Sequence, residues 1–257
     1  MIKVVFFDID GTMMAPGTTY VPESTRRAVA RLQAQGILCV VATGRYIGAI
    51  EQLPVADIPF DGYVTLNGQV VLDRDRKVLC GMPITGKALE YVVRAYEENT
   101  FPAMILEMDD LSLNYINDHV RRTHEIVGTD IPPVKPYSGR DIYQVSAYIP
   151  EPEQHILKEI RDECQITYWF SGGVDIIAKD GGKVWGVQHY LEEMGIKPEE
   201  AAAIGDGAND MDMLRYVGLG IAMGNASDKV KACADYVTAN LEDDGLAKAL
   251  EHFRYFA

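Results

Sequence analysis

The chain has 257 residues, 47% of them hydrophobic and 24% charged, which suits one large or two modest globular domains and excludes a disordered or fibrous protein. Its formal net charge is -14, and no run rich in Lys and Arg offers a surface for nucleic acid or an anionic membrane, so a bound phosphate has to be met by local positive groups or a metal ion. The four cysteines, Cys39, Cys80, Cys164 and Cys233, are scattered without a C-x-x-C pair and read as free thiols of a reducing compartment.

In chain order, IKVVFF reads as a buried strand. PESTRRAVARLQAQ follows as a helix that opens on Pro and Glu and stops at Gly36. The continuous apolar run ILCVVA is a strand buried on both faces, and strand, helix, strand at this length is a βαβ unit. FDGYVTLNGQVVLDRDRKVLCG reads as a core strand and a hairpin turning at Asp73 to Lys77.

From about Pro83 to Lys179 the texture changes. Two helical stretches, KALEYVVRAYEEN and PEQHILKEIRDEC, lie among strands AMILEM, SLNYIN, YQVSAYI, ITYWF and VDIIA, an α+β order with its own antiparallel sheet. Tyr143, Tyr148, Tyr168 and Trp169 fall on these strands, where aromatic residues at alternating positions serve the core more often than a ligand. The alternation then returns: helix VWGVQHYLEEMG with a stripe at Val184, Val187, Leu191 and Met194, strand AAAIG, helix DMDMLRYV, strand LGIAM, helix SDKVKACA, strand YVT and helix DDGLAKALEHF. The expected fold class is α/β, a Rossmann-like parallel-sheet core of residues 1-82 and 180-257, with a smaller α+β domain of residues 83-179 inserted.

Parallel sheets bind ligands at the carboxyl ends of their strands, and four stretches fall there. In FDIDGT, Asp8 and Asp10 are two residues apart, so in an extended chain they point to one side, roughly 7 Å apart. In VVATGR, Thr43, Gly44 and Arg45 leave a buried strand and open a helix whose free N–H groups can face an anion. DGGKVWGV carries Lys183 just before a helix, and AIGDGANDMDML sets Asp206, Asn209 and Asp210 between strand and helix. Singly, Asp or Asn beside glycine is an ordinary cap or turn residue. Two acids directly after VVFF are not what a turn requires. Four acids gathered at one edge repel by several kcal/mol, since unit charges about 4 Å apart interact by roughly 4 kcal/mol at an effective dielectric near 20. A hard divalent cation with oxygen ligands, Mg2+, relieves this. The histidines have no ligand-like spacing, which argues against zinc.

DIDGT, Thr43 of VVATGR, Lys183 and GDGANDMDM together resemble the four motifs of the haloacid dehalogenase superfamily, and IAMGNASDKVKACADYVTANLEDDGLAKAL is similar to its Cof-type sugar-phosphatase branch. Many relatives carry Gly where this chain has Val184. The resemblance implies a cap inserted between the second and third motifs, where the texture changes. It also implies that Asp8 and Asp206 bind Mg2+ through their side chains and Asp10 through its backbone carbonyl, with Asp210 supporting them. The roles that follow are Asp8 as nucleophile on phosphorus, forming an aspartyl phosphate, and Asp10 as general acid and then base. Thr43, Gly44 and Lys183 hold the phosphoryl oxygens, Asn209 orients Lys183 or the phosphate, and Arg45 and Asn225 add contacts.

The expected activity is Mg2+-dependent hydrolysis of small organic phosphomonoesters, sugar phosphates foremost, by a cytoplasmic enzyme whose partner is a small phosphorylated metabolite. Two alternatives remain open at the level of sequence. One is a phosphomutase or phosphotransferase on the same scaffold; the other is a receiver-like module that stores phosphate on an aspartate for signalling.

Overall fold

A computed structural model describes residues 1–127, 129–169 and 172–253. The chain divides into two compact units, Met1–Cys80 with Lys183–Ala257, and Gly81–Gly182.

The first unit is built on an eight-stranded sheet. In chain order its elements are β1 (Val4–Phe7), α1 (Glu23–Ala34), β2 (Leu38–Ala42), α2 (Ile47–Ile50), β3 (Gly62–Thr65), β4 (Val70–Asp73) and β5 (Val78–Gly81). Three strands from the far end of the chain, β11 (Ala201–Gly205), β12 (Leu219–Ala222) and β13 (Tyr236–Val237), complete the spatial order β13-β12-β11-β1-β2-β3-β4-β5. Strands β13 to β3 are parallel, and β4 returns antiparallel to β3. The apolar run of β1 is explained by its place: as a central strand it is buried on both faces. Val4 and Phe6 point to one side and Val5 and Phe7 to the other, and full burial of each Phe contributes about 2 kcal/mol.

The helix α1 stops where Gly36 takes φ 77 and the N–H of Ile37 returns to the carbonyl of Leu32 at 3.1 Å. The turn expected at Asp73 to Lys77 forms, with the N–H groups of Asp75 and Lys77 donating to the Asp73 carboxylate.

The C-terminal part adds α5 (Lys183–Met194), β11 (Ala201–Gly205), α6 (Met211–Tyr216), β12 (Leu219–Ala222), α7 (Asp228–Lys231), β13 (Tyr236–Val237) and α8 (Gly245–His252). Helix α5 packs beneath Val4, Phe6, Val40 and Val64, and Tyr190 meets Phe6 edge-on with ring centroids 5.7 Å apart. Its buried face is Lys183, Gly186, Val187, Tyr190 and Leu191, whereas Met194 is exposed. The expected stripe was therefore rotated: a lysine and a glycine occupy the inner face because one meets acids and the other meets backbone.

The second unit contains α3 (Gly86–Glu97), β6 (Ala103–Leu106), β7 (Leu111–Leu113), α4 (Asp118–Val127), β8 (Gln144–Ala147), β9 (Cys164–Trp169) and β10 (Gly173–Ala178). Its five strands pair antiparallel in the order β7-β6-β8-β10-β9. Ala103, Ile105, Val145, Ala147, Val174 and Ile176 form a core with Ala88, Val92 and Tyr96 of α3. Two sequence expectations change here. Glu151–Ile160 is a 3-10 helix, and α4 is a further helix, hidden in the sequence because its stretch DHVRRTHEIV carries few apolar residues to mark an inner stripe. Tyr143 and Tyr148 are buried and Tyr168 is exposed; the side chain of Trp169 lies outside the described residues.

Among the described residues, no helix is long and apolar enough to cross a membrane.

Candidate active site

Strand order determines which loops can meet. β1 lies between β11 and β2, so the residues after β1, β2 and β11 emerge side by side at the carboxyl edge where the chain switches direction across the sheet. Asp8 follows β1 directly, and its N–H extends the parallel ladder to the carbonyl of Ile204 at 3.0 Å. Thr43 follows β2 and donates its N–H to Val64 at 2.9 Å. Asp206 follows β11, and Lys183 is the first residue of α5.

Three of the four acids converge. Ligand oxygens of Asp8, Asp206 and Asp210 lie within 4.8 Å of one another. Lys183, fully buried, places Nζ 2.6 Å from Asp8 Oδ1 and 2.6 Å from Asp210 Oδ1. Asp210 Oδ2 accepts the backbone N–H groups of Asp206 and Gly207 at 2.9 and 2.8 Å, which closes its turn. Thr12 donates to Asp206 Oδ1 at 2.9 Å.

The side chain of Asp10 goes elsewhere. Arg45 grips it in two bonds, Nε to Oδ2 at 2.6 Å and Nη2 to Oδ1 at 2.8 Å, the planar fork that guanidinium makes with carboxylate.

One buried lysine does not balance this group of acids. Burial pushes the carboxyl of Asp8 well above the ordinary range; Lys183 pulls it down, and Asp210, Asp206 and Asp10 push it up again. Burial also carries Asp206 up to about 6, against the bond from Thr12 and with the push of Asp210. Burial works against the charge on Lys183 too, but Asp210 and Asp8 overcome it and raise the ammonium above its ordinary value. Burial thus opposes the ionised form of Asp8, and a bound cation would favour it. The donor set, carboxylate oxygens with no nitrogen or sulfur among them, fits Mg2+.

The remaining predicted residues fall around this cluster. Thr43 is buried, and its Oγ1 accepts the N–H of Arg45 at 3.2 Å. The helix expected to open at Thr43 does not begin there: α2 starts at Ile47, after an extended Tyr46, and is a single turn, with Leu53 extended again before Pro54. Gly44 lies close to a neighbour that sequence reasoning missed: a Cβ there would sit 3.1 Å from Oδ1 of Asn67. Asn209 donates Nδ2 to that same Oδ1 at 2.8 Å. Asn225 donates to the carbonyl of Gly11 at 2.9 Å and to Asp206 Oδ2 at 3.3 Å, and accepts from the N–H of Leu241 at 3.0 Å, so it ties the first stretch to the fourth. Gly11, at φ 87, lies so close to Asp206 that any Cβ would collide with that carboxylate. Thr12 and Asn67 were both missed, although Thr12 stands within the motif DIDGT and Asn67 within the turn-like TLNG.

A parallel sheet whose central strand ends in a buried acid, faced by a buried lysine and two further acids, suits an enzyme that handles an anion at the sheet's carboxyl edge. The sequence matches the haloacid dehalogenase-like hydrolase family over residues 5–250, and the chain belongs to that family, in its Cof-type branch. It is 28% identical over 270 residues to pyridoxal phosphate phosphatase YbhA of Escherichia coli (strain K12), covering 96% of this chain and 96% of that one. It is 26% identical over 264 residues to 5-amino-6-(5-phospho-D-ribitylamino)uracil phosphatase YcsE of Bacillus subtilis (strain 168), covering 98% and 96%. Among solved structures, a HAD subclass IIB sugar phosphatase superposes with a TM-score of 0.87 at 32% identity, covering 98% of each chain. A HAD phosphatase from Bacteroides thetaiotaomicron gives 0.87 at 30%, covering 98% of this chain and 95% of that one. The protein is a phosphoester hydrolase.

Proposed function

We propose that this hydrolase is a Mg2+-dependent phosphatase of small organic phosphomonoesters, sugar phosphates foremost, and that it works through an aspartyl phosphate on Asp8. The observation that carries the reading is the convergence of Asp8, Asp206 and Asp210 on a single buried Lys183. Sugar phosphates come first because a structural relative of 32% identity over 98% of the chain is a sugar phosphatase; the phosphorylated cofactor and intermediate named for two sequence relatives are the next candidates.

Asp8 and Asp206 would hold Mg2+ through their carboxylates and Asp10 through its backbone carbonyl, with Asp210 fixing the turn behind them. Bound there, the ion supplies the positive charge that the cluster lacks and that a phosphoryl group needs.

An oxygen of Asp8 attacks phosphorus as the ester P–O bond breaks, and the departing alkoxide takes a proton from Asp10. Asp10, now a carboxylate, accepts a proton from the water that attacks the phosphorus of the aspartyl phosphate, which releases inorganic phosphate and restores Asp8. The two bonds from Arg45 hold the Asp10 carboxyl in one orientation, which both proton transfers need. Lys183 and Thr43 flank the phosphoryl oxygens.

The test is release of inorganic phosphate from p-nitrophenyl phosphate and from a panel of sugar phosphates, with Mg2+ or with EDTA. Turnover that needs Mg2+ and vanishes in Asp8→Asn is expected. Full activity in excess EDTA contradicts the proposal, and transfer of phosphate to a second sugar without release of phosphate points to a phosphomutase instead.

A further inference from the structure

The loop between β3 and β4 carries a feature that a plain hairpin does not need. Leu66 and Asn67 are consecutive, both buried, and both at φ 53, in the left-handed region that Asn tolerates and a bulky apolar residue rarely enters. Such backbone persists only where surrounding contacts over-determine it, and it gathers at functional sites.

Several contacts hold this backbone in place. The N–H of Leu66 donates to the carbonyl of Arg45 at 3.0 Å, and the N–H of Asn67 donates to the carbonyl of Thr43 at 3.0 Å. Asn67 Oδ1 accepts Nδ2 of Asn209 at 2.8 Å. A Cβ on Gly44 would lie 3.1 and 3.2 Å from the two ends of the Asn67 carboxamide. Gly68 abuts the helix that begins with Lys183, since a Cβ on Gly186 would sit 3.0 Å from its carbonyl oxygen. A solvent-facing Asn-Gly turn spends its carboxamide on its own backbone or on water. This one is 1% exposed and holds a residue 142 positions away.

We propose that Asn67 is a positioning residue for phosphoryl transfer. Resting on the phosphatase reading above, the inference is that its backbone clamps the Thr43–Arg45 turn while its carboxamide fixes Asn209. The two loops that flank the phosphoryl group are thereby held at one separation. Asn67 acts through these neighbours. The left-handed Leu66 is what directs the carboxamide inward.

The experiment compares three variants of the full chain by steady-state hydrolysis of p-nitrophenyl phosphate with Mg2+, each also melted thermally. Asn67→Gly accepts the left-handed backbone and loses only the carboxamide; a folded protein is expected whose kcat falls about ten- to a hundredfold while KM moves far less. Asn67→Asp keeps the acceptor oxygen, so kcat should stay within about threefold of wild type while the added negative charge raises KM for the anionic substrate. Asn67→Gly combined with Asn209→Ala should be no slower than the slower single variant, because the two side chains act as one unit.

A folded Asn67→Gly with wild-type kcat overturns the inference, and so do losses that multiply in the double variant. If Asn67→Gly does not fold, Asn67→Asp decides alone, and a kcat loss beyond about tenfold there overturns it. Asp8→Asn, run in parallel, separates the layers: inactive, it leaves the phosphatase reading standing whatever Asn67 does; fully active, it removes both.

Discussion

Neutralising one acid of the cluster should make the metal-free protein more stable while destroying its function. The perturbation is Asp206→Asn. In the folded chain the Asp206 carboxyl is raised from 3.8 to about 6, first by burial and then by Asp210, against the bond from Thr12. A rise of that size corresponds to roughly 3 kcal/mol that the folded state loses, relative to the unfolded one, when this group ionises. The sign follows from the raised value: the contribution is fully present below about pH 3.8 and is lost as pH rises through about 6. Asn keeps an oxygen for Thr12 and carries no charge.

Calorimetric melting in EDTA at pH 8 should therefore place the variant roughly 6 to 12 °C above wild type, taking about 2 to 4 °C per kcal/mol for a chain near this size. The gap should narrow as pH is lowered toward 4. Saturating Mg2+ should reverse the order, because the wild type gains stability by mass action and the variant gains less. A variant less stable than wild type in EDTA at every pH would show that the bonds from Thr12 and Asn225 already satisfy Asp206, and that the cluster does not call for a cation.

Lys183→Met leaves the buried carboxylates of Asp8 and Asp210 without their cation, so urea unfolding should show a loss of about 3 to 5 kcal/mol, with no turnover. Gly11→Ala forces both a left-handed alanine and a collision with the Asp206 carboxylate; the Mg2+-induced rise in melting temperature should shrink, and kcat should fall by about two orders of magnitude. Arg45→Ala frees Asp10 from its two bonds, so kcat/KM should fall further for an alkyl phosphate, whose leaving group needs the proton, than for an aryl phosphate.

Much of this was legible in the sequence where one physical rule acted alone. The runs VVFF and LCVVA are apolar on both faces because β1 and β2 are central parallel strands. The two acids directly after the first strand are not what a turn requires, and together with those after β11 they advertised a shared edge, which the strand order brings together. Other features were hidden because tertiary contacts decide them. Helix α5 turns a lysine inward, which hydropathy reads as a solvent position; only the acids at 2.6 Å make that placement tolerable. Helix α4 has too few apolar residues to show a stripe. Asn67-Gly68 looks like any hairpin turn, and nothing local reports that its carboxamide is met by Asn209. Asp10 could be named but its side-chain partner could not, because pairing with Arg45 depends on how two loops 35 residues apart exit neighbouring strands.

If Asp8 carries the phosphoryl group, the phosphorylated enzyme can be trapped. Asp10→Asn retains the nucleophile but activates water poorly, so the aspartyl phosphate should accumulate with an aryl phosphate whose leaving group needs little protonation. Rapid acid quench of this variant with radiolabelled substrate and Mg2+, followed by peptide mapping, should place the label on the peptide containing Asp8. Cleavage of the substrate with no label on that peptide, or with label on a different aspartate, would contradict the account.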